Sequence, residues 1–170
     1  MRRIFALLAV SLTAVLLITV LTGGAASART SQSENNDTEN HVFSATLAPD
    51  LGPSVEPTIA GIAPGGLPWV LESGHVNLSK GGRLKASVDG LLLGPGAPAN
   101  LVGTTGPITQ VFASLVCANG PVISTNAVAF SKEGDAHIDQ HISLPAQCVG
   151  PIVLIRASLG NGPWIAASGF

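Results

Sequence analysis

The stretch LESGHVNLSKGGRLKASVD, residues 71–89, decides the fold. In its second half Leu84, Ala86 and Val88 alternate with Lys85, Ser87 and Asp89. A period of two places the two sets on opposite faces of a half-buried strand. Just before it, Lys80-Gly81-Gly82-Arg83 reads as a tight hairpin turn, because glycine takes the positive φ such turns need. Residues 71–79 are then the partner strand. Outward from this hairpin the pattern recurs. Residues 108–117, 122–130, 136–144, 151–158 and 164–168 are short β-like runs, and Ile152-Val153-Leu154-Ile155 is apolar throughout. Asn119-Gly120-Pro121, the 131–135 stretch SKEGD and Asn161-Gly162-Pro163 are turns. About seven strands in roughly 100 residues, with turns every 8–12 residues, predict an all-β domain: an immunoglobulin-like Greek-key β-sandwich, or alternatively a small β-barrel. The Gly/Pro loop 94–106 is long enough to form a functional rim.

Composition agrees. The chain has 170 residues, 46% hydrophobic and 11% charged, with 20 Gly, 12 Pro and no Tyr. The charged share is under half of what a soluble domain usually carries, and the Gly/Pro content disfavours long helices and coiled coils. Eight Lys/Arg against ten Asp/Glu give a net charge of -2, so a basic nucleic-acid binder is not expected.

The amino-terminal part reads differently. Arg2 and Arg3 precede a charge-free stretch, 4–21, and Ala26-Ser27-Ala28 forms a small-residue cleavage signature. Residues 1–28 are expected to be a signal peptide, leaving a secreted chain without stable membrane insertion. The alternative is a membrane tether by an uncleaved signal anchor, since the stretch reaches the lower limit for spanning. Residues 29–40, RTSQSENNDTEN, hold no apolar side chain and are expected to be disordered. Residues 41–47 could form a short strand or a sticky patch. Pro49, Pro53, Pro57, Pro64 and Pro68 mark a Pro/Gly-rich linker. The expected organisation is therefore signal peptide 1–28, linker 29–68 and β-sandwich domain 69–170. Arg29 stands against Glu34, Asp37, Glu39, Asp50 and Glu56 in the linker, while the domain carries five charges of each sign.

Cys117 and Cys148 are the two cysteines. In an oxidising compartment they are expected to pair. Closing that loop stabilises by about 3.7 kcal/mol in the chain-entropy model.

One polar constellation stands out, His137-Ile138-Asp139-Gln140-His141. Alternation places His137, Asp139 and His141 on one face and Ala136, Ile138 and Ile142 on the other, with Gln140 the exception on the apolar side. Neighbours on one face lie about 7 Å apart, but His137 and His141 lie about 13 Å apart, too far to share an ion. A zinc or copper site is thus an alternative in which a His-x-Asp pair (His137, Asp139) or an Asp-x-His pair (Asp139, His141) gains a further ligand from another strand, His75 being the candidate. A plain solvated face and a pH-sensitive one are the other readings. Lys80, Arg83 and Lys85 flank the hairpin and suit phosphate- or carboxylate-rich wall polymers, or simply solvent. Trp69 and Trp164 could stack on a sugar or pack in the core; Phe112 and Phe130 read as core. No G-x-S-x-G, S-x-x-K or H-E-x-x-H pattern occurs, so no catalytic residue is named.

Residues 134–138, GDAHI, the stretch 144–155, LPAQCVGPIVLI, and 164–169, WIAASG, resemble uncharacterised secreted all-β domain proteins of soil bacteria. The resemblance implies export and a β domain and brings no activity, cofactor or site residue. The function expected is a secreted structural or protein-binding module, with an extracellular or cell-wall component as partner. The alternatives are a metal-binding domain and a hydrolase.

Overall fold

The computed structural model describes residues 41–52, 57–118 and 120–169. The expected signal peptide and acidic leader, 1–40, lie outside them. The described chain is all-β: β1 His41–Pro49, β2 Trp69–Val70, β3 Ser73–Ser79, β4 Arg83–Asp89, β5 Leu92–Leu93, β6 Gln110–Val116, β7 Ile123–Ser124, β8 Val128–Ala129, β9 Ala136–His141, β10 Ile152–Ala157 and β11 Trp164–Ser168. One curled antiparallel sheet runs β7-β6-β10-β11-β1-β3-β4-β9, with β8 also on β6; β2 and β5 form a separate ribbon. Among the described residues no helix is long and apolar enough to cross a membrane.

The hairpin that opened the sequence reading forms as expected. Leu78 faces Leu84, and Leu78, Leu84, Ala86 and Val88 are buried. The Gly82 amide donates to Ser79 O at 3.0 Å, and Gly82 has φ 81°. That is a three-residue loop closed by a left-handed glycine. A Cβ on Gly82 would run into the Ile142 carbonyl oxygen, the group in line with the next strand.

The start of the described chain takes the short-strand alternative of the sequence reading. Residues 41–49, within the expected linker, are a strand inside the sheet. His41–Thr46 pair with β3 and Leu47–Pro49 pair with β11. β1 therefore belongs to both halves of the curl, and a strand that changes partners is how a sheet turns a corner. The corner is possible because Gly74 has no side chain: a Cβ there would lie 2.9 Å from the Leu47 Cβ. Among the described residues the strands include 41–49 as well as those from Trp69 onward.

Asp50 fixes the exit from β1. It is fully buried, and its Oδ1 accepts from the Gly52 amide (2.7 Å) and Oδ2 from the Gly65 amide (2.6 Å). Its own amide donates to Ile165 O and its carbonyl accepts from the Trp69 amide. A buried carboxylate is tolerable only with such donors. The Pro/Gly-rich residues 57–68 lie along the domain. The Trp164 amide donates to Ala63 O, and Ile59 and Ile62 cover Val116, Leu154, Trp164 and Ala167 on the outer side of the β6-β10-β11 half. Hence β10 is apolar at every central position: Val153 and Ile155 enter the main core, Leu154 the second cluster.

Other expectations resolve likewise. The 122–130 run is two short strands, interrupted where Thr125 bonds Ala113 instead. Loop 94–106 folds back on β5, with the Leu93 amide on Thr104 O and the Gly103 amide on Leu93 O. Trp69 and Trp164 are 3% and 0% exposed, so they pack and offer no sugar-stacking face. Phe112 is not core; its ring carries the Arg156 guanidinium 4.9 Å from its centroid. Gln140, the exception on β9, closes the open side of the curl. Its side-chain carbonyl accepts from the Asn126 amide (2.9 Å) and its NH2 donates to Asn126 O (3.2 Å). The sandwich and barrel readings differ here only by that seam. Cys117 and Cys148 are bonded, Cα–Cα 5.0 Å, tying the end of β6 to the loop before β10.

Two stability outcomes follow. Asp50→Ala strands two buried amides and should cost about 2–4 kcal/mol in urea denaturation; a loss below about 0.5 kcal/mol contradicts the buried role. Replacing Cys117 and Cys148 together by Ser should cost about 2–5 kcal/mol, read as a lower midpoint with a slope equal or steeper, since the unfolded chain is less compact without the bond.

Candidate functional site

Strands β1, β3, β4 and β9 bury one set of side chains and present the other. Registers align the outward set in rows. Thr46 faces His75, His75 faces Ser87, and Ser87 faces His137. Ser44, Asn77, Lys85 and Asp139 make the next row. His41 pairs with Ser79 and Arg83 with His141, on either side of the hairpin. These positions are exposed or half-buried. His41, His75, His137 and His141 are all the histidines of the chain, and all stand on these four strands.

Asp139 is held by Arg83 through two parallel bonds, Nε to Oδ1 and Nη2 to Oδ2, both 2.7 Å. This fork keeps the Asp139 carboxyl below the usual carboxylate range; Lys85 and His137 add weaker attraction. The face is cross-braced elsewhere by Ser44 donating to Asn77 Oδ1 and Ser73 to Asp89 Oδ2. At the hairpin end, His41, Asn77, Ser79, Arg83, Lys85 and His141 line a groove of about 250 Å³.

The sequence-derived metal set is placed on one face but not gathered. His75 and His137 are separated by Ser87, two strand spacings or roughly 10 Å apart. Both oxygens of Asp139 are taken by Arg83. Among the described residues no three His, Cys, Asp or Glu side chains form a group that could hold a metal ion. Asp135 caps the Gly90 amide and Asp89 accepts from the Ser73 hydroxyl. The sequence reading missed His41, which it had assigned to the leader, and the Arg83 fork. Alternation would put His41 with Phe43, Ala45 and Leu47 on the apolar face; a register shift between His41 and Phe43 pairs it with Ser79 instead, and the fork depends on a pairing 56 residues apart, so no local pattern announces either.

A second cluster sits on the other half of the curl. Arg156 donates through Nε to Gly162 O and Nη2 to Asn161 O, beneath Phe112, and so clamps the 158–162 turn; burial lowers its pKa. An apolar cavity of about 150 Å³ lies between Leu67, Trp69, Leu101, Ile108 and Ile165.

No protein-family model, curated protein or solved structure matches the chain.

Asp139 stabilises the fold by being ionised. Its folded pKa is lowered, so its contribution is present above the unfolded pKa and fades as pH falls through the folded one. Arg83→Met should return the Asp139 carboxyl to the ordinary range in a ¹³C-detected titration. The stability change near pH 7 should stay under about 1 kcal/mol, because the pair is exposed. An unmoved titration would contradict the fork.

Proposed function

We propose that this chain is exported, loses residues 1–28, and works outside the cell as a binding module. Its recognition surface is the outward face of β1, β3, β4 and β9, and its partner is an extracellular or cell-wall component. The observation that carries this reading is the composition of that face. Four histidines, Arg83, Lys85 and a row of Ser, Thr and Asn side chains cover an otherwise rigid sheet. The side chains beneath, Val76, Leu78, Leu84, Ala86, Val88 and Ile138, are core and hold the face in place. The Cys117–Cys148 bond supports an oxidising compartment, and the charge-free stretch 4–21 with Ala26-Ser27-Ala28 supports export. A polar, hydrogen-bonding surface on a stiff scaffold suits recognition better than chemistry, since no nucleophile is paired with a base on it.

Mass spectrometry of the culture medium should find a species beginning at Arg29 and two mass units below its reduced form. That protein should sediment with isolated cell envelopes. Ser87→Glu with Lys85→Glu should cut sedimentation at least about fivefold, whereas Leu159→Glu, on an exposed site of the other half, should leave it unchanged. Equal loss for both variants, or none for either, overturns the assignment of the face.

A further inference from the structure

The hairpin-end groove has a charge pattern that a generic binding face does not need. Along its long direction the order is His41, Ser79, Arg83, His141, crossing β1, β3, β4 and β9. Three interstrand steps separate the two histidines, about 14 Å between Cα positions. That span is too wide for one small ion and suits several charges on an extended ligand. Among the described residues no carboxylate lines the groove; Lys85 lines it between the two histidines, and Arg83 lines it while anchored to Asp139. Among the described residues of β1, β3, β4 and β9 the fixed charges are Arg83 and Lys85 from β4 against Asp89 from β4 and Asp139 from β9, which sum to zero. The remaining titratable groups there are His41 on β1, His75 on β3, and His137 and His141 on β9. Fully protonated they bring the face to +4, and no other part of the chain contains a histidine.

Histidine is the side chain that gains its charge between about pH 5 and 8. Every side chain of this type in the chain stands on this face. We infer that the groove between His41 and His141 binds a linear polyanion, with phosphate or carboxylate groups several ångströms apart, and that it does so more tightly as pH falls. This rests on the binding-face reading and names its ligand class and its control. The sign is fixed by linkage. A bound anion favours protonated His41 and His141, so binding takes up protons and tightens on the acid side. Ser79 and Asn77 supply neutral hydrogen bonds at either pH, and Lys85 supplies the charge that remains at pH 7.5. Each exposed ion pair changes an equilibrium by roughly 1.5- to 5-fold, so the two groove histidines together are worth roughly 2- to 30-fold.

The test is calorimetric titration of the purified protein with inorganic polyphosphate and, separately, with oligogalacturonate, at pH 5.5 and 7.5. Saturable binding should be about tenfold tighter at pH 5.5 for at least one polymer, and which polymer wins separates phosphate from carboxylate. His41→Gln with His141→Gln should flatten the pH dependence and keep the pH 7.5 affinity. His75→Gln with His137→Gln, outside the groove, should retain most of the dependence. In the unaltered protein the imidazole proton signals of His41 and His141 should move on titration while those of His75 stay. No saturable binding at pH 5.5, equal affinity at both pH values, or an undiminished dependence in the His41/His141 variant overturns the inference. Envelope sedimentation that still depends on Lys85 and Ser87 would then leave the binding-face reading standing.

Discussion

The structure depends on one strand changing partners. β1 spends its first six residues on β3 and its last three on β11. Without it the β3-β4-β9 half and the β6-β10-β11 half would share no ladder. The change of partner needs a missing Cβ at Gly74, an inward Leu47, and an anchor where the strand ends. Asp50 is that anchor, with two backbone amides on its carboxylate and its own backbone bonded to Ile165 and Trp69. A charge hidden from water is unfavourable by itself, so its presence here marks a place where geometry is held by donors.

That constraint also builds the candidate site. Because β1 lies beside β3, His41 reaches the face that already carries His75, His137 and His141. The hairpin between β3 and β4 then stands between two histidines, with Arg83 and Lys85 on it. On the opposite half Ile59 and Ile62 cover Val116, Leu154, Trp164 and Ala167. The polar cluster described there is centred on Arg156, which clamps a turn.

Much of this was legible in the sequence, because alternation is a local signal. The runs at 84–89 and 164–168 became strands, as did 136–141 of the run 136–144, and Gln140 was visible as the odd residue. What it does was not legible, since its partner Asn126 meets it only when the sheet curls. β1 was obscured by its neighbours. Pro49 and the prolines after it suggested a linker, and the register shift between His41 and Phe43 breaks the alternation of HVFSATLAP. β2 and β5, two residues each, are too short to have a period. The metal set failed to gather for a similar reason. His75 was a reasonable third ligand by type, but β4 lies between β3 and β9, and that strand order is a long-range property. The same order supplied Arg83 to Asp139, which no local pattern announces.

Native-state hydrogen exchange of the β1 amides tests this account most directly. If β1 is the shared strand, the ladder-bonded amides within 43–48 exchange only through global unfolding, as slowly as those of β10 and β11. If those amides exchange at the rate of a free peptide while β10 and β11 stay protected, β1 is a tether after all. The corner, the Asp50 anchor and the place of His41 on the face would then be contradicted together.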